Sequence, residues 1–512
     1  MLNNARFLAP LCLVLALPDP LRAEAPLSAI DWLSESVAAP MTRPEPRKEP
    51  AITSSALPEE VSTRPIDGPN WDAAGILSPS VSGLPRDLWG STAVGDLVPL
   101  IQAIKPSDLP AVQDLIYTLL LAELDPPPGS DGEGRLFLAR VDKLLEFGAL
   151  DPAMTLLEQV GHDAPETFRR FFDVALLSGE EDRACDTMRA TPQIAPTFQA
   201  RIFCLARGGD WNAAALSLRT GHALGHITDE DEELLARFLD PELFEGEQAL
   251  PQPPRPSPLV WRMFEALGEP IPTHTLPVAF AQADLRANTG WKAQIEAAER
   301  LARLGGLSPN RLLGLYSERA PAASGGVWDR VRAVQRLDRA LAQSDASALA
   351  DVLRPAWDAM AEAQLEVILA QLFAERLLER DVSGEAGALA FRLALLSPAY
   401  EEAAIAREPK NNEERFLIGL ARGDLGEHTA PGSMAAAIRE GITARRMPDA
   451  TRELVDQNRR GEALLRAVQQ LSEAAGGNLR GAADGLASLR HLGLEDAARK
   501  AALQLMLLER RG

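Results

Sequence analysis

The chain is predicted to be all-α: helix-turn-helix repeats stacked as an alpha-solenoid, behind a disordered Pro-rich N-terminal linker. Three observations predict this. Ala and Leu dominate a composition that is 46% hydrophobic but only 5% aromatic, whereas strands draw on Val, Ile, Thr and aromatic residues. Apolar residues recur at helical spacing, as at Val112, Leu115, Ile116, Leu119 and Leu120. No run alternates with period two between hairpin turns, so strand content should be near zero.

The N-terminus reads as a secretory signal over residues 1–25. Arg6 precedes an apolar run, Phe7 to Leu17, that Pro18 and Pro20 end. Ala23 and Ala25 then supply small residues for cleavage. The run is short against the ~20 residues needed to span a bilayer, and no later stretch is long and apolar enough, so the processed chain should not be an integral membrane protein. A short signal with no organelle address points to bacteria. Only six of the 52 basic residues are Lys; that Arg bias and the acidic pI are associated with a Gram-negative periplasm.

Residues 26–70 are predicted as linker. Residues 30–37 could form a short helix, but Pro40, Pro44, Pro46, Pro50, Pro58, Pro65 and Pro69 follow with no sustained apolar period. Such a tether would let the body stand off from whatever the N-terminus touches. An N-terminal helical segment then covers 71–125, with helices at 96–104 and 109–124, a loop at 78–85, and Leu88-Trp89 packed on the body.

A helical-repeat block is predicted over 135–246. In it an apolar helix end is followed by Gly, a polar turn, and Ala five residues after the Gly: Gly148 then Ala153, Gly179 then Ala184, Gly209 then Ala214. The glycines fall 31 and 30 residues apart. Gly accepts the left-handed conformation that ends a helix, acidic residues start the next, and the small Ala lets two helices approach. Gly423-Asp424 and Gly493 with Ala498 read as later copies. This pattern resembles the tetratricopeptide-like family of helix-turn-helix repeats, most clearly over 135–219, without its full Trp-Leu-Gly-Tyr series. The resemblance implies a curved binding surface on the concave side of 135–240.

A Pro-rich break, 247–258, separates a central helical block, 258–380, from the repeats; a C-terminal block covers 381–512. Ser257-Pro258 and Ser308-Pro309 should each open a helix, with Pro at its first position. Further helices are expected at 291–304, 327–341, 365–378, 452–470 and 495–510.

Cys185 and Cys204 are the cysteines left after signal removal. Thr191-Pro192 and Ala195-Pro196 bracket their midpoint, so two antiparallel helices joined there would bring them together. An oxidising compartment makes them a disulfide pair; the alternative is two buried, unbridged cysteines.

A net charge of −21 excludes general nucleic-acid binding, which needs a basic face. His222 and His226 stand four apart, but no Glu lies between them and Gly225 weakens the helix, so a solvated loop is favoured over a metal site. No nucleophile elbow, P-loop or dinucleotide fingerprint occurs, and Arg422-Gly423-Asp424 reads as an ordinary inter-helix turn. The acidic run Asp229 to Glu233 is either a lure for a basic partner or a charged first helical turn.

These readings converge on a non-enzymatic protein with no catalytic residues, cofactor or metal, binding a protein partner in the cell envelope. Its plan of signal, flexible N-terminus and acidic helical body is similar to that of periplasmic motility proteins that attach to the flagellar stator in alphaproteobacteria. The competing expectation is an enzyme acting on peptidoglycan or another envelope polymer, with the solenoid as accessory. That enzyme would need a pocket of convergent carboxylates with shifted pKa values.

Overall fold

The structure is a computed structural model that describes residues 30, 32–33, 70–343, 346–426 and 428–508. The predicted signal and the Pro-rich stretch 34–69 lie outside the described residues. Among the described residues there is no strand; an isolated bridge joins Leu77 to Ala122.

The N-terminal segment holds α1 (Pro79–Ser82), α2 (Val94–Gln102) and α3 (Pro110–Leu121). The repeats follow as hairpins: α4 (Arg135–Glu146) with α5 (Leu150–Val160), α6 (Pro165–Ser178) with α7 (Glu181–Ala190), and α8 (Phe198–Arg207) with α9 (Trp211–Ala223). α10 (Asp229–Leu239) packs on α8 and α9. The central block contains α11 (Pro258–Ala266), α12 (Trp291–Arg303), α13 (Pro309–Ser317), α14 (Val327–Gln343), α15 (Ala346–Glu362) and α16 (Glu366–Leu378). The C-terminal block contains α17 (Gly384–Leu395), α18 (Tyr400–Ala406), α19 (Asn412–Arg422), α20 (Ser433–Thr443), α21 (Asp449–Asp456), α22 (Arg460–Ala475), α23 (Leu479–His491) and α24 (Glu495–Leu507).

Local chemistry explains these boundaries. Gly148, Gly179 and Gly209 all take left-handed φ, at 74°, 82° and 81°, where they end α4, α6 and α8. Ala153, Ala184 and Ala214 are each fully buried at the turn into the second helix of their hairpin. Ser257 and Ser308 cap α11 and α13, each hydroxyl accepting from the backbone N–H three residues on. Two expectations need correction. The loop predicted at 78–85 contains α1, because Ser78 followed by Pro79 is itself a helix start. The single helix predicted at 452–470 is two, broken where Asn458 takes φ 57°.

The blocks do not lie end to end in isolation. A continuous hydrophobic core runs from Trp32 to Leu508. The 3-10 helix Val278–Leu285 packs on α4, α6 and α12, and Gln282 Nε2 donates to the Gly148 carbonyl at 2.6 Å. α22 packs on α2 and α3, and α24 on α3, so the C-terminal helices return to the N-terminal segment. Two reciprocal backbone bonds stitch that seam: Ser91 N–H to Asn458 O, and Gly461 N–H to Leu88 O, both 2.8 Å.

Candidate functional site

The repeat helices divide into covered and uncovered ones. α4 and α6 are buried almost all round, by the N-terminal segment, the 3-10 helix Val278–Leu285 and α11. The surface expected on the inner side of 135–240 is therefore occupied, over these two helices, by the chain itself. The burial includes charge. Arg140 is fully buried and donates to the carbonyls of Leu120, Ala74 and Ala122 at 2.8–2.9 Å. Burial pushes its guanidinium down to about 10. Lys143 donates to Gln102 O and Ile104 O, both at 2.8 Å. Buried Asp142 and Arg170 form a two-pronged pair at 2.5 and 2.8 Å that joins α4 to α6.

The third hairpin differs in its second helix, which exposes large apolar side chains where α5 and α7 expose none. α9 packs on α8 and α10, and its remaining face is open. Trp211 is 52% exposed, Leu216 67% and Leu224 65%. Beside its C-terminal end, Asp229 to Glu232 form the first turn of α10, where Thr228 caps by accepting from Asp231 N–H. The acidic run thus sits against the positive end of a helix dipole. His222 Nε2 lies 2.9 Å from Asp229 Oδ1, which raises the imidazole pKa. The ring of His226 instead stacks on Phe198. The two imidazoles at i and i+4 therefore have separate partners.

Cys185 on α7 and Cys204 on α8 stand at disulfide distance, with Cα atoms 5.0 Å apart. The connecting turn is the 3-10 helix Pro192–Ile194, at the midpoint the spacing indicated. A bridge there closes a loop of about 20 residues, a stabilisation of roughly 3 kcal/mol on chain-entropy grounds. Cys185→Ser with Cys204→Ser is expected to lower the melting temperature, and reductant to melt the parent chain to the same value. A parent indifferent to reductant would contradict this.

A cleft of about 600 Å³ lies between α11, the turn 268–275, the 3-10 helix Val278–Leu285 and α12. It brings together Glu265, Asp284, Thr273 and Arg300. Glu265 accepts from Arg262 and Arg286; Arg262 also reaches Glu181 on α7 at 2.6 Å. Burial pushes the Glu265 carboxyl up, but the two guanidinium groups outweigh it and hold it below the usual range. Asp284 accepts from the Thr273 hydroxyl, yet burial dominates and raises its pKa. Two carboxyls lining one cleft are thus driven in opposite directions, Glu265 by its two guanidinium partners and Asp284 by burial. Sequence reading missed this pair because Glu265 and Asp284 belong to no motif; the 3-10 helix that places Asp284 carries no helical apolar period.

The linkage signs follow from those shifts. Glu265 stabilises the fold above the ordinary carboxylate range, and that contribution is lost as pH falls through its depressed folded value. Asp284 has the opposite sign: its charged form is penalised above its raised folded value, and the penalty is relieved as pH falls. Asp284→Asn is therefore expected to keep or raise the melting temperature at neutral pH, and Glu265→Gln to lower it. Equal losses from both would refute the assignment.

Comparison with known proteins finds no matching family model, no matching curated protein and no matching solved structure. Among the described residues no helix is long and apolar enough to cross a membrane.

Proposed function

We propose that the chain is a non-enzymatic scaffold of the bacterial periplasm, exported by its N-terminal signal and binding a protein partner in a cell-envelope assembly. The observation that carries this reading is α9, where Trp211, Leu216 and Leu224 are more than half exposed, whereas the matching second helices α5 and α7 expose no large apolar side chain. Aromatic and aliphatic side chains left exposed along one helix and at its C-terminal end suit a protein interface. The acidic turn beside them and the net charge of −21 favour a partner with a basic rim. Among envelope assemblies, the flagellar motor is one candidate, because the plan is similar in architecture to that of periplasmic motility proteins of alphaproteobacteria; envelope-biogenesis and secretion assemblies are comparable ones. Trp211→Asp combined with Leu216→Glu should abolish recovery of a stoichiometric partner from crosslinked envelope extract, with the melting temperature unchanged. Full recovery with the double variant would count against the face, and a deletion strain that swims normally against the motor.

A second reading has its own observation. The Glu265–Asp284 cleft is where an enzyme acting on an envelope polymer would be sought, since two carboxyls with shifted pKa values line it. Under it, purified chain releases soluble fragments from peptidoglycan, and Asp284→Asn stops the release. Under the scaffold reading Glu265 is a structural ion-pair member, and no release occurs.

A further inference from the structure

Two oppositely charged side chains, Asp284 and Arg300, line the cleft between α11 and α12. Among the described residues neither stands in an ion pair, yet both are fixed. Asp284 lies near the end of the 3-10 helix Val278–Leu285, and the Thr273 hydroxyl donates to its Oδ2. Arg300 lies in the last turn of α12 and donates to the carbonyls of Thr273, at 2.9 Å, and Leu276. Thr273 thus holds the carboxylate through its hydroxyl and the guanidinium through its carbonyl. Asp284 keeps Oδ1 for another donor, and Arg300 keeps its remaining N–H groups for another acceptor.

The other carboxylates of the cleft are matched. Glu265 accepts from Arg262 and Arg286, and Glu296 pairs with Lys292 at 3.0 Å. His274 is exposed at the rim. Burial raises the Asp284 pKa and lowers that of Arg300, with Arg303 adding to the second shift. Each charged form is therefore held at a cost that their mutual attraction does not remove. A ligand carrying a cation to one and an anion to the other relieves both; a singly charged ligand relieves one. The volume of about 600 Å³ falls within the ~300–1,000 Å³ of small-molecule sites. Small or apolar side chains complete the wall: Ala281, Ala293, Ala297 and Trp261, whose Nε1 is already bonded to the Ile271 carbonyl at 3.0 Å.

We propose that this cleft binds a short zwitterionic peptide, its free ammonium on Asp284 Oδ1 and its free carboxylate on the Arg300 guanidinium. Both ends of the ligand are read, so specificity is for the unblocked peptide rather than for its side chains. The site shares its cleft with the enzyme reading but requires no turnover, and it does not involve α9.

The test is isothermal titration calorimetry of the full chain with L-alanyl-L-alanine, its N-acetyl form and its C-terminal amide. Wild type should bind the free dipeptide at least ~10-fold more tightly than either blocked form, because each blocked form leaves one part-buried charge unmet. Asp284→Asn should lose the preference for the free amine and keep that for the free acid. Arg300→Gln should do the reverse. Arg300 also anchors two carbonyls, so Arg300→Lys is measured beside it: the charge is kept, and a weakened preference for the free acid should remain. Equal affinity for the three peptides, no binding of any, or an amine preference that survives Asp284→Asn overturns the proposal. Dipeptide binding without release of peptidoglycan fragments removes the enzyme reading alone; fragment release without dipeptide binding removes this one alone.

Discussion

Asp142→Ala is expected to be among the most destabilising single changes in the molecule, at about 3–5 kcal/mol. Asp142 and Arg170 are both buried, and the carboxylate satisfies two of the guanidinium's donors. Burial alone would lower the Arg170 pKa; Asp142 and Glu166 reverse this and hold it above its ordinary value. Removing Asp142 leaves a cation in a dry interior with only the Glu166 side chain and carbonyl to meet it. The loss should be read as a drop in the urea midpoint. Replacing both members, Asp142→Ala with Arg170→Met, should recover a large part of it, because the desolvated charge goes too. If the double variant is less stable than the single one by the full cost of Arg170→Met alone, the pair is not coupled and the argument fails.

Gly461→Val should open the seam between the two ends of the chain, at a cost of about 1–3 kcal/mol from overpacking. A Cβ at position 461 would lie 2.4 Å from Trp89 Cε3 and 3.1 Å from the Leu88 carbonyl. Trp89 is almost fully buried and cannot swing away. Across the same contact, Gly90 has φ 50°, and a Cβ there would meet the Asn458 carbonyl at 2.0 Å, so Gly90→Val should act alike. Both variants should gain hydrogen exchange at 88–91 and 458–461 and expand in small-angle scattering. A variant with wild-type melting and radius would show that the seam does not hold the body closed.

How much of this was legible in the sequence depends on the range of the signal. Helices came through because their cause is local: apolar period, a Ser-Pro start, a Gly stop. The Cys185–Cys204 pairing came through for a similar reason, since a hairpin's two arms are related by a turn that lies between them. Arg140 could not be read, because a guanidinium near the middle of an amphipathic helix ordinarily faces water. Its partners are carbonyls 18 to 66 residues away. Trp32 was hidden in the same way: its neighbours in the chain are linker-like, and its anchor, Phe280, lies in another block.

By itself the sequence determined an all-helical chain of stacked hairpins, the left-handed glycines that end the repeat helices, and the cysteines that staple α7 to α8. Those features follow from interactions within a turn or a hairpin, which few residues suffice to specify. Only the tertiary structure decided that α4 and α6 are filled over, that one side of α9 is left open, that Glu265 and Asp284 share a cleft, and that Trp32 packs on Phe280. Each of these depends on which distant surface excludes water from a side chain, and no local pattern of residues encodes that.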